Sequence, residues 1–312
     1  MPPNLIRRSA SHPALTLTAA VLAALAGLAS GCAGPHGHAV DTAPAGSLVT
    51  PGPAAPVTAT AAPSDLSALR LPIEDYLLTP AQDAHLEHAV WVVAGGCMKR
   101  QGFDFQAPPE LAHQRSGSEV PRRYGPADPA TAAVEGYHSP ADPDQQPQPR
   151  TPLPADLPAP ERAALTGTGH GAPAGGCHGE AQRQLAGTDP LGSSQLAGQI
   201  NSMSYTQATA DPRVKAAFAA WSACMKAEGY TYATPVDAYN DPRWQQSSTP
   251  GRLEIATATA DTGCKRRTNL IGIWYGVDAA YQQQQIRLHQ AQLDHDRASE
   301  QHQLALAQQA LR

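Results

Sequence analysis

Cys97-Met98-Lys99-Arg100-Gln101-Gly102-Phe103-Asp104-Phe105 returns 127 residues later as Cys224-Met225-Lys226-Ala227-Glu228-Gly229-Tyr230-Thr231-Tyr232. Pro108 and Pro235 keep the same offset. A Cys-Met-Lys-x-x-Gly-aromatic-x-aromatic-x-x-Pro string occurring twice marks an internal duplication, and what precedes each copy fixes its type. Thr79 is an N-cap residue, Pro80 occupies the first helical position and Gln82 completes capping-box spacing. Leu86, Val90, Val93, Ala94, Cys97 and Met98 then recur at steps of three and four, the period of a helix face. Gly102 stops that helix in the left-handed position that glycine tolerates. The second copy repeats the punctuation: Asp211 caps, Pro212 follows, and Val214, Ala217, Phe218, Trp221, Cys224 and Met225 form the stripe before Gly229.

Each copy carries a second cysteine preceded by glycine, Gly176-Cys177 and Gly263-Cys264. The simplest pairing is within repeats, Cys97 with Cys177 and Cys224 with Cys264, and a bridge between equivalent cysteines is the alternative. Closing loops of these lengths stabilises by roughly 4 kcal/mol each in the chain-entropy account. Between its cysteines the first copy holds a dense run of prolines (Pro140, Pro143, Pro147, Pro149, Pro152, Pro154, Pro158, Pro160), read as an irregular excursion with short helices near Pro129–Gly136 and Pro160–Leu165. Arg252 to Tyr281 reads as helix, with Gly263, Gly272 and Gly276 as tolerated interruptions. From Tyr281 to Arg312 the helical pattern continues but loses its apolar face, so this stretch either projects into solvent or packs on a partner.

The N-terminal end supplies an address. Arg7 and Arg8 precede an uncharged apolar run, Ala14 to Ala29, which is shorter than the ~20 residues of a spanning helix. Leu28-Ala29-Ser30-Gly31-Cys32 then reads as a lipobox, with Cys32 acylated after cleavage. Arg7-Arg8 leaves Sec and twin-arginine export both open. Residues 33 to about 70 are Ala, Pro, Thr, Gly and Ser with hardly a charge, and bury too little apolar surface to offset their ordering entropy. The domain map is therefore a lipoprotein signal peptide at 1–31, a disordered Ala/Pro-rich tether at 32–70, a first helical repeat at 71–190, a second at 205–281, and a polar Gln/His-rich helical tail at 282–312. The fold class is mainly α: two degenerate helical repeats stapled by disulfides, on a tether, with a long C-terminal helix.

Composition narrows the function. The 312 residues carry a formal charge of −5 with 16% charged side chains, and no basic cluster exceeds Lys265-Arg266-Arg267, which argues against nucleic acid. Thirty prolines and 26 glycines exceed an ordinary globular share, so the folded part is smaller than the chain. There is no Cys-x-x-Cys, no His-Glu-x-x-His, no Gly-x-Ser-x-Gly and no Walker A or Gly-x-Gly-x-x-Gly loop.

The remaining candidates each have a plainer explanation. Met98 and Met225 could join cysteines as copper ligands, but packing beside a disulfide suits them better. His85 and His88 could share a metal with Asp83 or Glu87, His36 and His38 could chelate loosely, and at best two of His289, His295 and His302 share a helix face. None shows Cys/His ligand spacing, so no metal and no cofactor is assigned. Glu180, Glu254, Asp104, Asp237 and Asp261 could include a hydrolytic carboxylate pair, yet aromatic residues are only 5% of the chain; no catalytic residue is assigned. Trp91, Trp221 and Trp274 fall on amphipathic stripes and read as core anchors.

The lipobox, Trp221-x-x-Cys224-Met225-x-x-x-Gly229-Tyr230, Glu254 to Cys264, Leu270-Ile271-Gly272-Ile273-Trp274 and Gly175-Gly176-Cys177-x-Gly179-Glu180-Ala181 together resemble a family of uncharacterised secreted lipoproteins from high-GC Gram-positive, actinobacterial-type bacteria, over roughly residues 70–290. The resemblance implies location and disulfides and carries no chemistry. The expectation is a non-catalytic binding or scaffold protein of the cell envelope, joined to the membrane by its lipid and partnered by another envelope protein, at the extracytoplasmic face. The alternatives are a cell-wall hydrolase or modifying enzyme, and the substrate-binding lipoprotein of an importer, which would need a hinged α/β pair.

Overall fold

The structure is a computed structural model, and it describes residues 66, 69–110, 120–138, 157–168 and 174–312. The segments expected to be signal peptide and tether, up to residue 65, with Cys32, His36 and His38, and the prolines from 140 to 154 lie outside the described residues. Among the described residues all regular structure is helical and none is strand.

The first long helix, α1 (Pro80–Arg100), starts where its caps demand. The Thr79 hydroxyl accepts from the Gln82 N–H at 3.3 Å, and the Gln82 side chain accepts from the Thr79 N–H at 2.8 Å. Gly102 ends it at φ +86°, and the Phe103 N–H reaches back to the Met98 carbonyl at 3.0 Å. Next come α2 (Val120–Arg123), α3 (Pro129–Glu135), α4 (Ala159–Thr166), α5 (Gly176–Ala186) and α6 (Gln195–Ala210). The second copy's helix, α7 (Pro212–Ala227), repeats the ending of α1. Gly229 takes φ +91° and the Tyr230 N–H donates to the Met225 carbonyl at 2.9 Å. Thus the duplicated words fold into duplicated backbone. The chain continues through α8 (Pro235–Tyr239), α9 (Arg252–Arg267), α10 (Leu270–Leu288) and α11 (Gln290–Ala310).

Both disulfides lie within repeats. Cys97–Cys177 joins α1 to α5 and Cys224–Cys264 joins α7 to α9, with Cα atoms 5.4 and 5.7 Å apart. A bridge between equivalent cysteines is thereby ruled out.

Two apolar clusters form, and both draw on segments far apart in sequence. The smaller gathers Leu86, Val90, Ala94 and Met98 of α1, Leu165 of α4, Ala181 and Leu185 of α5, and Ala307 of α11. The larger gathers Trp221 and Met225 of α7, Ala258 of α9, and Leu270, Trp274 and Val277 of α10. It also takes in Leu71, Ile73, Val120, Tyr124, Ala132 and Tyr137. Residues of 71–76 and 120–137 pack in the larger cluster with the second copy's helices, while α1, α4, α5 and α11 meet in the smaller. Leu66 is buried in the larger cluster, Leu69 packs on it, and Tyr275 donates to the Arg70 carbonyl at 2.8 Å.

The run Arg252 to Tyr281 is two helices. Asn269 sits in the left-handed region at φ 48°, the one non-glycine there among the described residues, and turns the chain between α9 and α10. Beyond it, α10 packs on α6 and α7, and α11 packs on α1 and α5. The C-terminal stretch is thus a spine that completes the second core with one helix and the first with the next.

Candidate functional site

The sequence singles out cysteines, carboxylates, histidines and tryptophans, and the fold disperses them into distinct settings. Around the second disulfide, Arg267 dominates. Its guanidinium Nη2 lies 3.1 Å from Cys224 Sγ and 3.2 Å from Cys264 Sγ, while a carboxylate oxygen of Glu228 anchors it at 2.6 Å. Around the first disulfide the neighbours are Gln101, whose amide lies 3.4 Å from Cys177 Sγ, and Glu180, whose Oε2 lies 3.6 Å from Cys97 Sγ. Glu180 in turn accepts from Arg100 at 2.6 Å.

The other candidate carboxylates hold backbone and cations. Asp237 caps α8 in a capping box with Thr234, and Asp104 accepts from Gln106 at 3.1 Å. Glu254, 3% exposed, accepts from the backbone N–H of Tyr137 at 2.8 Å and of His138 at 3.2 Å. It also faces His138 Nδ1 at 2.7 Å, while His138 Nε2 faces the Ser247 carbonyl at 3.0 Å. A neutral imidazole has one N–H, and two acceptors flank this ring, so the site favours the imidazolium. The Ser247 carbonyl and then Glu254 raise the His138 pKa above its ordinary value. Asp261 is fully enclosed. It accepts from Trp221 Nε1 at 2.8 Å and pairs with Lys265 Nζ at 2.9 Å, and Lys265 also donates to the Pro126 carbonyl at 2.9 Å. Burial pushes the Asp261 carboxyl up, opposed by the ammonium beside it.

The densest polar centre escaped the sequence reading. Asp278 of α10, fully buried, takes a bidentate contact from Arg123, with Nε to Oδ2 at 2.6 Å and Nη2 to Oδ1 at 3.1 Å. Tyr124 donates to the same carboxylate at 2.9 Å. Arg123 further donates to the Asn201 side chain at 2.9 Å and to the Asn201 carbonyl at 2.7 Å, and Gln282 donates to Ser204 at 3.0 Å. Asp278, Lys265 and Glu254 thus grip the segment 120–138 at three points. The only advance signal was a carboxylate on the otherwise apolar face of Leu270 to Tyr281.

The described histidines do not converge. His85 faces Glu110 at 3.2 Å, His88 faces the Pro108 carbonyl at 2.9 Å, and His295 faces Asp189 at 3.3 Å. Among the described residues no three His, Cys, Asp or Glu side chains gather into a group that could hold a metal ion. Met98 and Met225 are fully buried core residues. Trp221 and Trp274 are core anchors as their stripes implied, whereas Trp91 is half-buried beside His178, with ring centroids 4.9 Å apart.

Helix α11 is two-faced. Inward, Leu293, Glu300, Gln303 and Ala307 are buried. Glu300 accepts from the Ser194 N–H at 2.7 Å, and Gln303 accepts from the Gly192 N–H at 3.1 Å while donating to the Pro190 carbonyl at 2.9 Å. These polar residues satisfy a loop's backbone, which is why the stretch looked coreless. Outward, Ala291, His295, Ala298, His302, Ala305 and Gln309 are exposed at steps of four and three. No described helix is long and apolar enough to cross a membrane.

Compared with family models, curated proteins and solved structures, the chain matches none.

Proposed function

We propose that this chain is a lipid-anchored protein of the cell envelope, resembling the actinobacterial-type lipoproteins named above, and that it serves as a non-catalytic binding or scaffold protein there. The observation that carries the proposal is the junction Leu28-Ala29-Ser30-Gly31-Cys32 behind a short apolar run. Two disulfides in the folded part support it, because such bonds persist in oxidising compartments. Lipid chains on one cysteine contribute ~0.8 kcal/mol per buried methylene. Three carboxylates that could have served hydrolysis have structural partners: Glu254 accepts from the Tyr137 N–H, Asp261 pairs with Lys265 and Glu180 pairs with Arg100. The outward face of α11, small residues alternating with histidines, is the surface offered to an envelope partner.

The test is expression in a bacterium that matures lipoproteins. The wild-type product should pellet with membranes, begin at Cys32 and carry acyl mass, and Cys32→Ser should release it. A photo-crosslinker at Ala298 should capture one defined envelope protein while the same group at Lys215 on α7 does not. A soluble product starting at Met1, or equal capture from both positions, overturns the proposal.

A further inference from the structure

The two disulfides occupy equivalent places in the duplication, yet the ion pair beside them has reversed its polarity. Three residues past the second cysteine stands Glu180 in the first copy and Arg267 in the second. In the first copy the helix α5 carries the carboxylate and α1 the guanidinium of Arg100, at 2.6 Å. In the second, α9 carries the guanidinium and the end of α7 leads into the carboxylate of Glu228, also at 2.6 Å. The sulfurs therefore see opposite charge: Glu180 Oε2 at 3.6 Å from Cys97 Sγ, against Arg267 at 3.1 Å from Cys224 Sγ and 3.2 Å from Cys264 Sγ. Access differs in the same sense. Cys97, Cys177 and Cys264 are buried, and Cys224 alone of the four is half-exposed.

We propose that Cys224–Cys264 is a thiol-exchange site, opened by an external dithiol, while Cys97–Cys177 is a permanent staple. A thiolate of the dithiol attacks the accessible Cys224 Sγ. A sulfur–sulfur bond forms there, the Cys224–Cys264 bond breaks, and Cys264 leaves as a thiolate held by the Arg267 guanidinium. The dithiol's second thiolate then attacks its own sulfur in the mixed disulfide and expels Cys224, again beside Arg267. The dithiol is oxidised by two electrons to its disulfide, and its two protons pass through solvent to the two cysteines. A cation beside the departing sulfur lowers that thiol's pKa and speeds its release, and a carboxylate does the reverse. The inference goes beyond the proposed envelope role and does not depend on it.

The test uses the full chain with graded dithiothreitol, quenching by alkylation and peptide mass spectrometry. Cys224 and Cys264 should be labelled at least tenfold faster than Cys97 and Cys177, with helical circular dichroism retained. Arg267→Gln should slow that opening several-fold, and Arg267→Lys should keep most of the rate. Glutathione, a monothiol, should leave its adduct on Cys224 and not on Cys264. Simultaneous labelling of both pairs, earlier opening of Cys97–Cys177, an adduct on Cys264, or an unchanged rate in Arg267→Gln would each overturn the assignment.

Discussion

Lys265 is the most informative side chain to remove. It is 1% exposed, its ammonium lies 2.9 Å from an Asp261 carboxylate that is itself wholly buried, and it donates to the Pro126 carbonyl. Lys265→Met keeps the stem's volume but strands a charge and a backbone acceptor. Breaking a buried pair from one side costs about 3–5 kcal/mol, and at this size each kcal/mol moves Tm by about 2–4 °C. Asp261→Asn alone should also destabilise, because the ammonium loses its counter-charge. The double variant removes both charges, and the cycle should return a coupling of roughly 2–3 kcal/mol. The pH dependence has a definite sign. In Lys265→Met the folded-state pKa of Asp261 stays raised by burial, without the ammonium that opposed it. That variant should therefore lose stability as pH rises above the ordinary carboxyl value, where the unfolded chain ionises and the folded one resists. Urea unfolding followed by tryptophan fluorescence at several pH values reads all of this. A double variant no more stable than Lys265→Met, or single variants near wild type, would refute the buried pair.

His138 gives a second pH effect of opposite origin. Its folded pKa is raised, so its contribution is complete below the unfolded value and disappears as pH rises through the folded one; urea midpoints across that window should slope in wild type and flatten in His138→Asn. Leu293→Ala removes a fully buried side chain from the C-terminal spine and should cost about 2–5 kcal/mol, measurable as a lower urea midpoint with helical content intact in water.

Much of this fold is written in local punctuation. Thr79, Asp211, Gly102 and Gly229 set the ends of α1 and α7 as their chemistry requires, and the repeated cysteine words place both disulfides. What escaped detection lacks apolar periodicity. The buried face of α6 is Ala197, Ile200, Ser204 and Ala208, mostly small residues that make a weak apolar stripe, and its N-cap, the Ser194 hydroxyl accepting from the Ala197 N–H at 3.2 Å, is a single-residue signal. The inward face of α11 is half polar because it hydrogen-bonds the loop at 190–194. In sequence, segment 120–138 reads as part of an excursion because its attachment is ionic and distant. Arg123 meets Asp278 across 155 residues, and no spacing rule anticipates such a pair.

The same interleaving decides which experiments on the C-terminal helix can speak about binding. Removing 282–312 would delete Gln282, which accepts from the Ile73 N–H at 3.1 Å and donates to Ser204, together with Leu293, Glu300, Gln303 and Ala307. It would expose apolar surface in both cores and strand the Gly192 and Ser194 N–H groups. Each buried donor left unpaired costs about 1–3 kcal/mol, a large part of the 5–15 kcal/mol that holds a domain together. Loss of a partner after that truncation would report unfolding as readily as a missing interface. Substitutions confined to Ala291, Ala298 and Ala305, which face solvent on α11, leave those hydrogen bonds untouched. Only they separate the helix as a structural spine from the helix as a docking surface.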